Sequence, residues 1–231
     1  MTPKICVSIT GQTVDEVVQM IKSAENDGAD LFEIRLDYLK EDADLNRIRS
    51  CTERLLIATE RLPSEGGFFE GTEEERLKTL LEAARVGFSL IDLELETPDV
   101  AERVQELREA GCKVIVSSHT TERPDLRRLE ATFGKERQLR PDLCKIVTGA
   151  ETMSDNLTSL QFLAQASALL ETICFCMGPM GRVSRVLSPL FGGAFTYAAV
   201  ARGKEAASGQ LTAPEMRQLY RLLGVNFEDN K

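Results

Sequence analysis

Glu33-Ile34-Arg35-Leu36-Asp37 alternates charged and apolar residues without a break, and Ile91-Asp92-Leu93-Glu94-Leu95 repeats the pattern further along the chain. In an extended strand successive side chains leave on opposite faces. Glu33, Arg35 and Asp37 therefore share one face, and Ile34 and Leu36 the other. Strands of an open parallel sheet are covered on both faces and read as unbroken apolar runs. A strand with one apolar and one charged face fits a closed barrel better. Its apolar side packs on surrounding helices and its charged side turns inward, where charges persist only by pairing or by serving a polar site.

Outward from these two segments, apolar or β-branched runs at residues 5–9, 55–59, 113–117, 143–147, 172–177 and about 193–197 join 31–36 and 90–95 as strand candidates. Helical stretches separate them. Thr13 with Glu16, Thr72 with Glu75, and Thr212 with Glu215 have capping-box spacing, and Thr97 before Pro98 reads as a cap with proline at the first helical position. Gly28, Gly87, Gly111 and Gly224 stand where left-handed helix stops belong. Strands alternating with helices over 231 residues imply an α/β fold, a (β/α)8 TIM barrel, with an open doubly wound sheet as the alternative. No linker, low-complexity tract or repeat interrupts residues 1–231, so a single domain is expected.

Composition narrows the function. A hydrophobic content of 42% is enough for a large core. No apolar run approaches the roughly 20 residues of a membrane span, and the first residues lack the organisation of a signal peptide, so a soluble, cytoplasmic protein is expected. A formal net charge of −9 argues against nucleic-acid or anionic-membrane partners. It leaves room for a small anionic substrate, because a few convergent arginines can reverse the field inside a cleft. The six cysteines are expected to be reduced, and Cys6, Cys144, Cys174 and Cys176, in apolar strand-like runs, to be small buried hydrophobes. A single histidine rules out a His-built metal site, while a carboxylate-only site from Asp92, Glu94 and Glu33 stays open.

In such a barrel the chemistry belongs at the C-terminal ends of the strands. Lys145 sits inside Leu143-Cys144-Lys145-Ile146-Val147. Burying an ammonium is costly, so this lysine is either a desolvated amine, nucleophilic towards carbonyls, or half of a structural ion pair with Asp92, Glu94 or Glu33. His119 closes the neighbouring apolar run, at the mouth of the barrel, and histidine is the usual acid–base group near neutral pH. Arg61 and Glu65 follow the third strand in a loop that contains Gly66 and Gly67. Arg182 and Arg185 follow the seventh, after a glycine loop of the kind that often holds an anionic group at a helix start.

Taken in order, Val7-Ser8-Ile9-Thr10-Gly11, Phe32 through Asp37, Arg61 through Gly67, Ile91 through Leu95, Ser117-Ser118-His119, Lys145-Ile146, Met177-Gly178, Ser184-Arg185, Phe191 through Ala194, Thr196-Tyr197 and Gly209-Gln210 resemble the type I 3-dehydroquinate dehydratases of the shikimate pathway. The resemblance runs from about residue 4 to 223. It implies a (β/α)8 barrel, commonly a homodimer, that dehydrates 3-dehydroquinate with neither metal nor organic cofactor. By position it makes Lys145 the imine-forming residue, His119 the general acid–base and Glu65 the carboxylate that orients His119. It assigns Arg185 to the substrate carboxylate, and Glu33, Arg35, Arg61, Gln210 and Ser8 to the ring hydroxyls and their network. Met177 and Tyr197 become apolar packing around the ring. The chain departs from the family pattern at Thr120 and Thr121, at Ala206 and Ser208 before Gln210, and at Phe175. The rival readings are another Schiff-base barrel such as a class I aldolase, which favours a phosphate site, and a non-catalytic metabolite-binding barrel.

Overall fold

The computed structural model describes residues 2–40 and 42–225. Its strands are β1 (Ile5–Ile9), β2 (Leu31–Arg35), β3 (Leu55–Thr59), β4 (Leu90–Glu94), β5 (Lys113–His119), β6 (Leu143–Thr148), β7 (Thr172–Cys176) and β8 (Thr196–Ala199). They run parallel in one eight-stranded sheet, ordered β7-β6-β5-β4-β3-β2-β1-β8. Between the two ends of that order the Ala194 amide donates to the Thr172 carbonyl at 3.0 Å. The helices are α1 (Val14–Asn26), α2 (Leu45–Ser50), α3 (Glu73–Arg85), α4 (Val100–Glu109), α5 (Leu126–Gln138), α6 (Asp155–Ala166), α7 (Arg182–Leu187) and α8 (Ala213–Leu222). Each strand is followed by its helix. This is the (β/α)8 barrel.

Strand alternation sorts the side chains as period two requires. Ile34, Ile91 and Leu93 lie in the outer apolar layer with Val17, Ile21, Leu80 and Val104 of the helices. Cys6, Leu31, Ile57, Leu90, Ile115, Leu143 and Ile173 form a separate apolar plug inside the barrel. One pleat further along the same strands, that inner face carries Ser8, Glu33, Asp92, Ser117 and Lys145, all buried. The plug closes the lower barrel, so the polar layer above it is open to ligand only from the C-terminal side.

Local signals explain the element boundaries, with four corrections. Full capping boxes form at Thr72/Glu75 and Thr212/Glu215, whereas at α1 the Glu16 carboxylate accepts from the Gln12 amide, one residue before Thr13. Thr97 and Pro98 do not start α4. Its N-terminal flanking residue is Asp99, with φ of 53°, because the Thr97 hydroxyl is taken by the Arg76 guanidinium at 2.9 Å. The eighth strand begins at Thr196 rather than near Gly193, since a 3₁₀ turn at Ser188–Phe191 continues into Gly192 (φ 96°) and the Gly193 amide bonds back to Ser188. Asp37 also leaves the strand, into a short 3₁₀ turn at Leu36–Tyr38, yet stays beside Arg35. All six cysteine thiols are free, and five of them are buried. Among the described residues no helix is long and apolar enough to cross a membrane.

Candidate active site

A cavity of about 300 Å³ opens at the C-terminal ends of the strands. All nine residues singled out from the sequence line it: Lys145, His119, Glu65, Arg185, Arg61, Arg35, Glu33, Gln210 and Ser8. Arg182, the other arginine of the glycine loop, is exposed and lies outside it.

Lys145 projects inward from β6 and is 4% exposed. Its Nζ donates to Asp92 Oδ2 at 2.7 Å and Glu33 Oε1 at 3.4 Å, and lies 4.4 Å from the centre of the Tyr197 ring. The amine is thus ion-paired and cavity-lining at once, and Glu94 is not among its partners. Glu33 is held by Ser8 Oγ at 3.0 Å and Thr59 Oγ1 at 3.2 Å. Burial would raise the Glu33 carboxyl, but Lys145 and Arg35 outweigh it and keep Glu33 below its ordinary value. Asp92 is held lower still: Arg61 and Lys145 overwhelm its burial. Both acids are therefore ionised counter-charges at neutral pH.

His119 ends β5, where its Nδ1 lies 2.7 Å from Glu65 Oε2. Burial first, then the charges of Arg61 and Lys145, push the imidazole well below its ordinary value, so it rests neutral. Burial, reinforced by Glu94 and Asp92, raises Glu65 to about 7 in spite of Arg61. When Glu65 is ionised it accepts a hydrogen bond from Nδ1–H, which keeps the proton on Nδ1 and the lone pair on Nε2, the form that can take a proton from a ligand. The loop that delivers Glu65 is tightly wound. A 3₁₀ turn at Pro63–Glu65 ends on Gly66, with φ of 80°, and a Cβ on Gly67 would lie 2.0 Å from the Arg61 carbonyl oxygen. Only glycine fits there.

Arg61 joins these two centres. Its Nη2 donates to Asp92 Oδ1 at 2.6 Å and its Nη1 to Ser117 Oγ at 2.9 Å, with Glu94 Oε1 at 3.0 Å and Glu65 Oε2 at 3.6 Å. Ser117 in turn donates to Asp92 at 2.6 Å. Arg35 is tied bidentately to Asp37 at 2.6 and 2.8 Å. Gln210 donates to Ser8 Oγ at 3.3 Å and accepts from the Ala206 amide at 2.8 Å, closing the loop before α8 over the mouth.

Arg185 is different. It is 2% exposed, and its Nε and Nη2 have no hydrogen-bond partner. The guanidinium lies 4.3 Å from the centre of the Phe175 ring. Burial draws it down to about 10, and the weak pull of Glu33 does not restore it. Its backbone is fixed all the same, since Thr196 and Ser188 hydroxyls donate to the Arg185 carbonyl at 2.6 and 3.2 Å. Ser184 pins α7 to β7 by accepting from the Cys176 amide at 2.9 Å. A buried, unpartnered and immobilised guanidinium facing a cavity is a receptor for an anion, with carboxylate the best geometric match.

Sequence reasoning missed the role of Ser117, and saw Asp92 as one of three candidate partners for Lys145 or as part of a carboxylate-only metal site. Asp92 was legible as an inward charge on an alternating strand; nothing local to Ser117 marked it. Among the described residues no set of three or more His, Cys, Asp or Glu side chains is arranged to hold a metal ion, and Asp92, Glu94 and Glu33 are each engaged by a cationic side chain.

A (β/α)8 barrel with a buried lysine, a His–carboxylate pair and an unpartnered arginine around a cavity at the C-terminal face has the architecture of the barrel enzymes, whose active sites lie at that face. The family model for type I 3-dehydroquinase matches residues 5–227. A 3-dehydroquinate dehydratase of Methanopyrus kandleri is 39% identical over 225 residues, covering 95% of this chain and all (100%) of that one. The solved 3-dehydroquinate dehydratase from Enterococcus faecalis is 26% identical, with a TM-score of 0.82 over 96% of this chain and 94% of that one. The Geobacillus kaustophilus structure, at 24% identity, shares the fold with a TM-score of 0.89 over 98% of this chain and 93% of that one. The chain belongs to the type I 3-dehydroquinase family.

Proposed function

We propose that the protein dehydrates 3-dehydroquinate to 3-dehydroshikimate through an imine on Lys145, with His119 moving the proton. The observation that carries this reading is the placement of three different functions around one small cavity: an amine, a neutral imidazole on a carboxylate, and a buried arginine without a partner.

Arg185 takes the substrate carboxylate, and that contact places the ring ketone towards Lys145. Lys145 attacks the ketone carbon as the free amine, its proton having passed to solvent through the mouth of the cavity, while Asp92 and Glu33 stay ionised beside it. Loss of water gives an iminium, a stronger electron sink than the ketone. His119 Nε2 removes the proton beside the iminium carbon, the electron pair enters the C–C–N system as an enamine, and the same imidazolium protonates the departing β-hydroxyl. Water then hydrolyses the conjugated imine and frees Lys145. Glu65 keeps Nδ1–H in place throughout, and Arg61 limits the negative charge that Asp92 and Glu65 build up together. Glu33, Arg35, Gln210 and Ser8 are the groups within reach of the ring hydroxyls, and Met177, Phe175 and Tyr197 supply apolar wall. A cytoplasmic homodimer serving aromatic biosynthesis is the setting that the family resemblance supports.

The test is turnover of 3-dehydroquinate, followed by ultraviolet absorbance of the conjugated product, beside sugar phosphates and with chelator present. The expected result is chelator-insensitive dehydration of 3-dehydroquinate alone. Cleavage of a sugar phosphate, or loss of activity on chelation, contradicts it.

A further inference from the structure

Among the buried ionisable side chains of the described residues that the mechanism above leaves unused, one lies directly behind the site. Arg76, on α3 outside the barrel wall, is 0% exposed. It makes five hydrogen bonds: Nε and Nη2 to Glu73 at 2.8 and 2.7 Å, Nη2 to Thr97 Oγ1 at 2.9 Å, Nη1 to the Glu60 carbonyl at 3.3 Å, and Nη1 to Glu94 Oε2. Only arginine can satisfy such a set, since lysine offers three donors on a single nitrogen. The other oxygen of Glu94 pairs with Arg61 Nη1 at 3.0 Å, and Arg61 bridges Asp92 and Glu65. Charges therefore alternate from the outer helix to the cavity: Arg76, Glu94, Arg61, then Asp92 with Lys145 on one branch and Glu65 with His119 on the other.

We propose that Arg76 is a positioning residue for the reaction: it fixes Glu94, Glu94 fixes Arg61, and Arg61 thereby holds its place between Asp92 and the Glu65–His119 pair. This rests on the proposed role of that pair, but its readout needs no turnover. Without Arg76, Glu94 keeps one cationic partner, and Arg61 is drawn towards it and away from Glu65. The charged groups facing His119 are Glu65, Arg61, Lys145, Asp92 and Arg35. After burial, Arg61 is the strongest influence holding its imidazole neutral, so its retreat must let His119 take up a proton more readily.

His119 is the only histidine of the chain, so its ring gives a single assignable pair of 15N–1H correlations in untagged, labelled protein. Arg76→Met is expected to move the His119 titration midpoint upward by about half a pH unit or more, and to lower kcat at least tenfold with KM within threefold. Arg76→Lys keeps the charge without the fork and serves as the arm that tolerates folding best; it is expected to shift the midpoint in the same direction by a smaller amount. Arg217→Met is the control. It removes bonds to Gly28 and Asp30 at the start of β2, at the opposite end of the barrel, and is expected to lower Tm while leaving the His119 titration and kcat unchanged. A wild-type His119 midpoint in folded Arg76→Met, or in Arg76→Lys if the former does not fold, overturns the proposal. A shift equal to that of Arg217→Met does so too, as it reduces Arg76 to a merely structural role. Loss of the imine reading alone leaves this titration result standing.

Discussion

Replacing Arg185 with methionine is expected to make the protein more stable and nearly inactive. The guanidinium is buried, its Nε and Nη2 have no partner in the protein, and burial lowers it from 12.5 to about 10. A displacement of that size corresponds to roughly 3 kcal/mol by which folding disfavours the charged form. Methionine keeps most of the aliphatic stem and forfeits the contact with the Phe175 ring, about 1–2 kcal/mol for a desolvated cation on an aromatic face. The net gain is therefore about 1–2 kcal/mol in urea unfolding, or several degrees in Tm. Binding moves the other way. Two charge-assisted bonds to a substrate carboxylate, about 1.5–3 kcal/mol each, amount to a loss of roughly 10² to 10⁴ in kcat/KM. The two assays are equilibrium urea denaturation and steady-state kinetics on one preparation. A variant less stable than wild type by more than about 1 kcal/mol would show that Arg185 is structural. A kcat/KM within tenfold of wild type would show that it does not hold the substrate.

Three further outcomes follow from the charged interior. Glu60 is 7% exposed and raised by burial, then by Asp37, from 4.5 to about 7, so the native carboxyl keeps its proton between about pH 4.5 and 7 while the unfolded one has lost it. Its contribution to stability is lost as pH rises through that window, so Glu60→Gln should gain up to about 3 kcal/mol at pH 8 and almost nothing at pH 4.5; equal effects in urea melts at both pH values would contradict this. Lys145→Met leaves buried Glu33 without its ion-pair partner and Asp92 with Arg61 alone, and should cost about 3–5 kcal/mol of stability besides all activity. Adding Glu33→Gln should return part of that loss, measured as a favourable coupling in a double-mutant cycle of at least about 1 kcal/mol; strict additivity would mean that the pair is not coupled. Gly67→Ala forces the loop off the Arg61 carbonyl, 2.0 Å from the new Cβ, and should cut kcat by about tenfold or more through Glu65 with little change in Tm.

The barrel was legible because alternation on Glu33–Asp37 and Ile91–Leu95 is a property of each strand alone; Glu33–Arg35 and Ile91–Glu94 lie in β2 and β4 as that pattern requires, while Leu36 and Asp37 turn off the strand. Element ends were less so. Thr97-Pro98 has the local chemistry of a helix start, but tertiary structure spends the Thr97 hydroxyl on Arg76, two elements away. The site residues were readable as a set because they cluster at strand ends. How they pair was not, since Lys145 meets Glu33 across 112 residues and Gln210 meets Ser8 across 202. Arg185 reads in sequence as one of two arginines in a glycine loop; that it is buried without a partner, while Arg182 is exposed, depends on the Ser184 anchor of α7 to β7. Arg76 falls in a stretch of glutamates and reads as a solvated helix face, and only packing of α3 against the end of β4 turns it inward.

The central claim is that Lys145 reacts covalently with the substrate. Incubating His119→Ala with 3-dehydroquinate, reducing with borohydride and mapping the peptide by mass spectrometry tests it most directly. General acid–base assistance is worth about 10² to 10⁴ in rate, so this variant should bind substrate, form the imine and stall. The expected result is one reduced adduct, on the peptide that carries Lys145, absent from Lys145→Met. Wild-type protein that turns over 3-dehydroquinate while neither it nor the variant yields an adduct at Lys145 contradicts the mechanism.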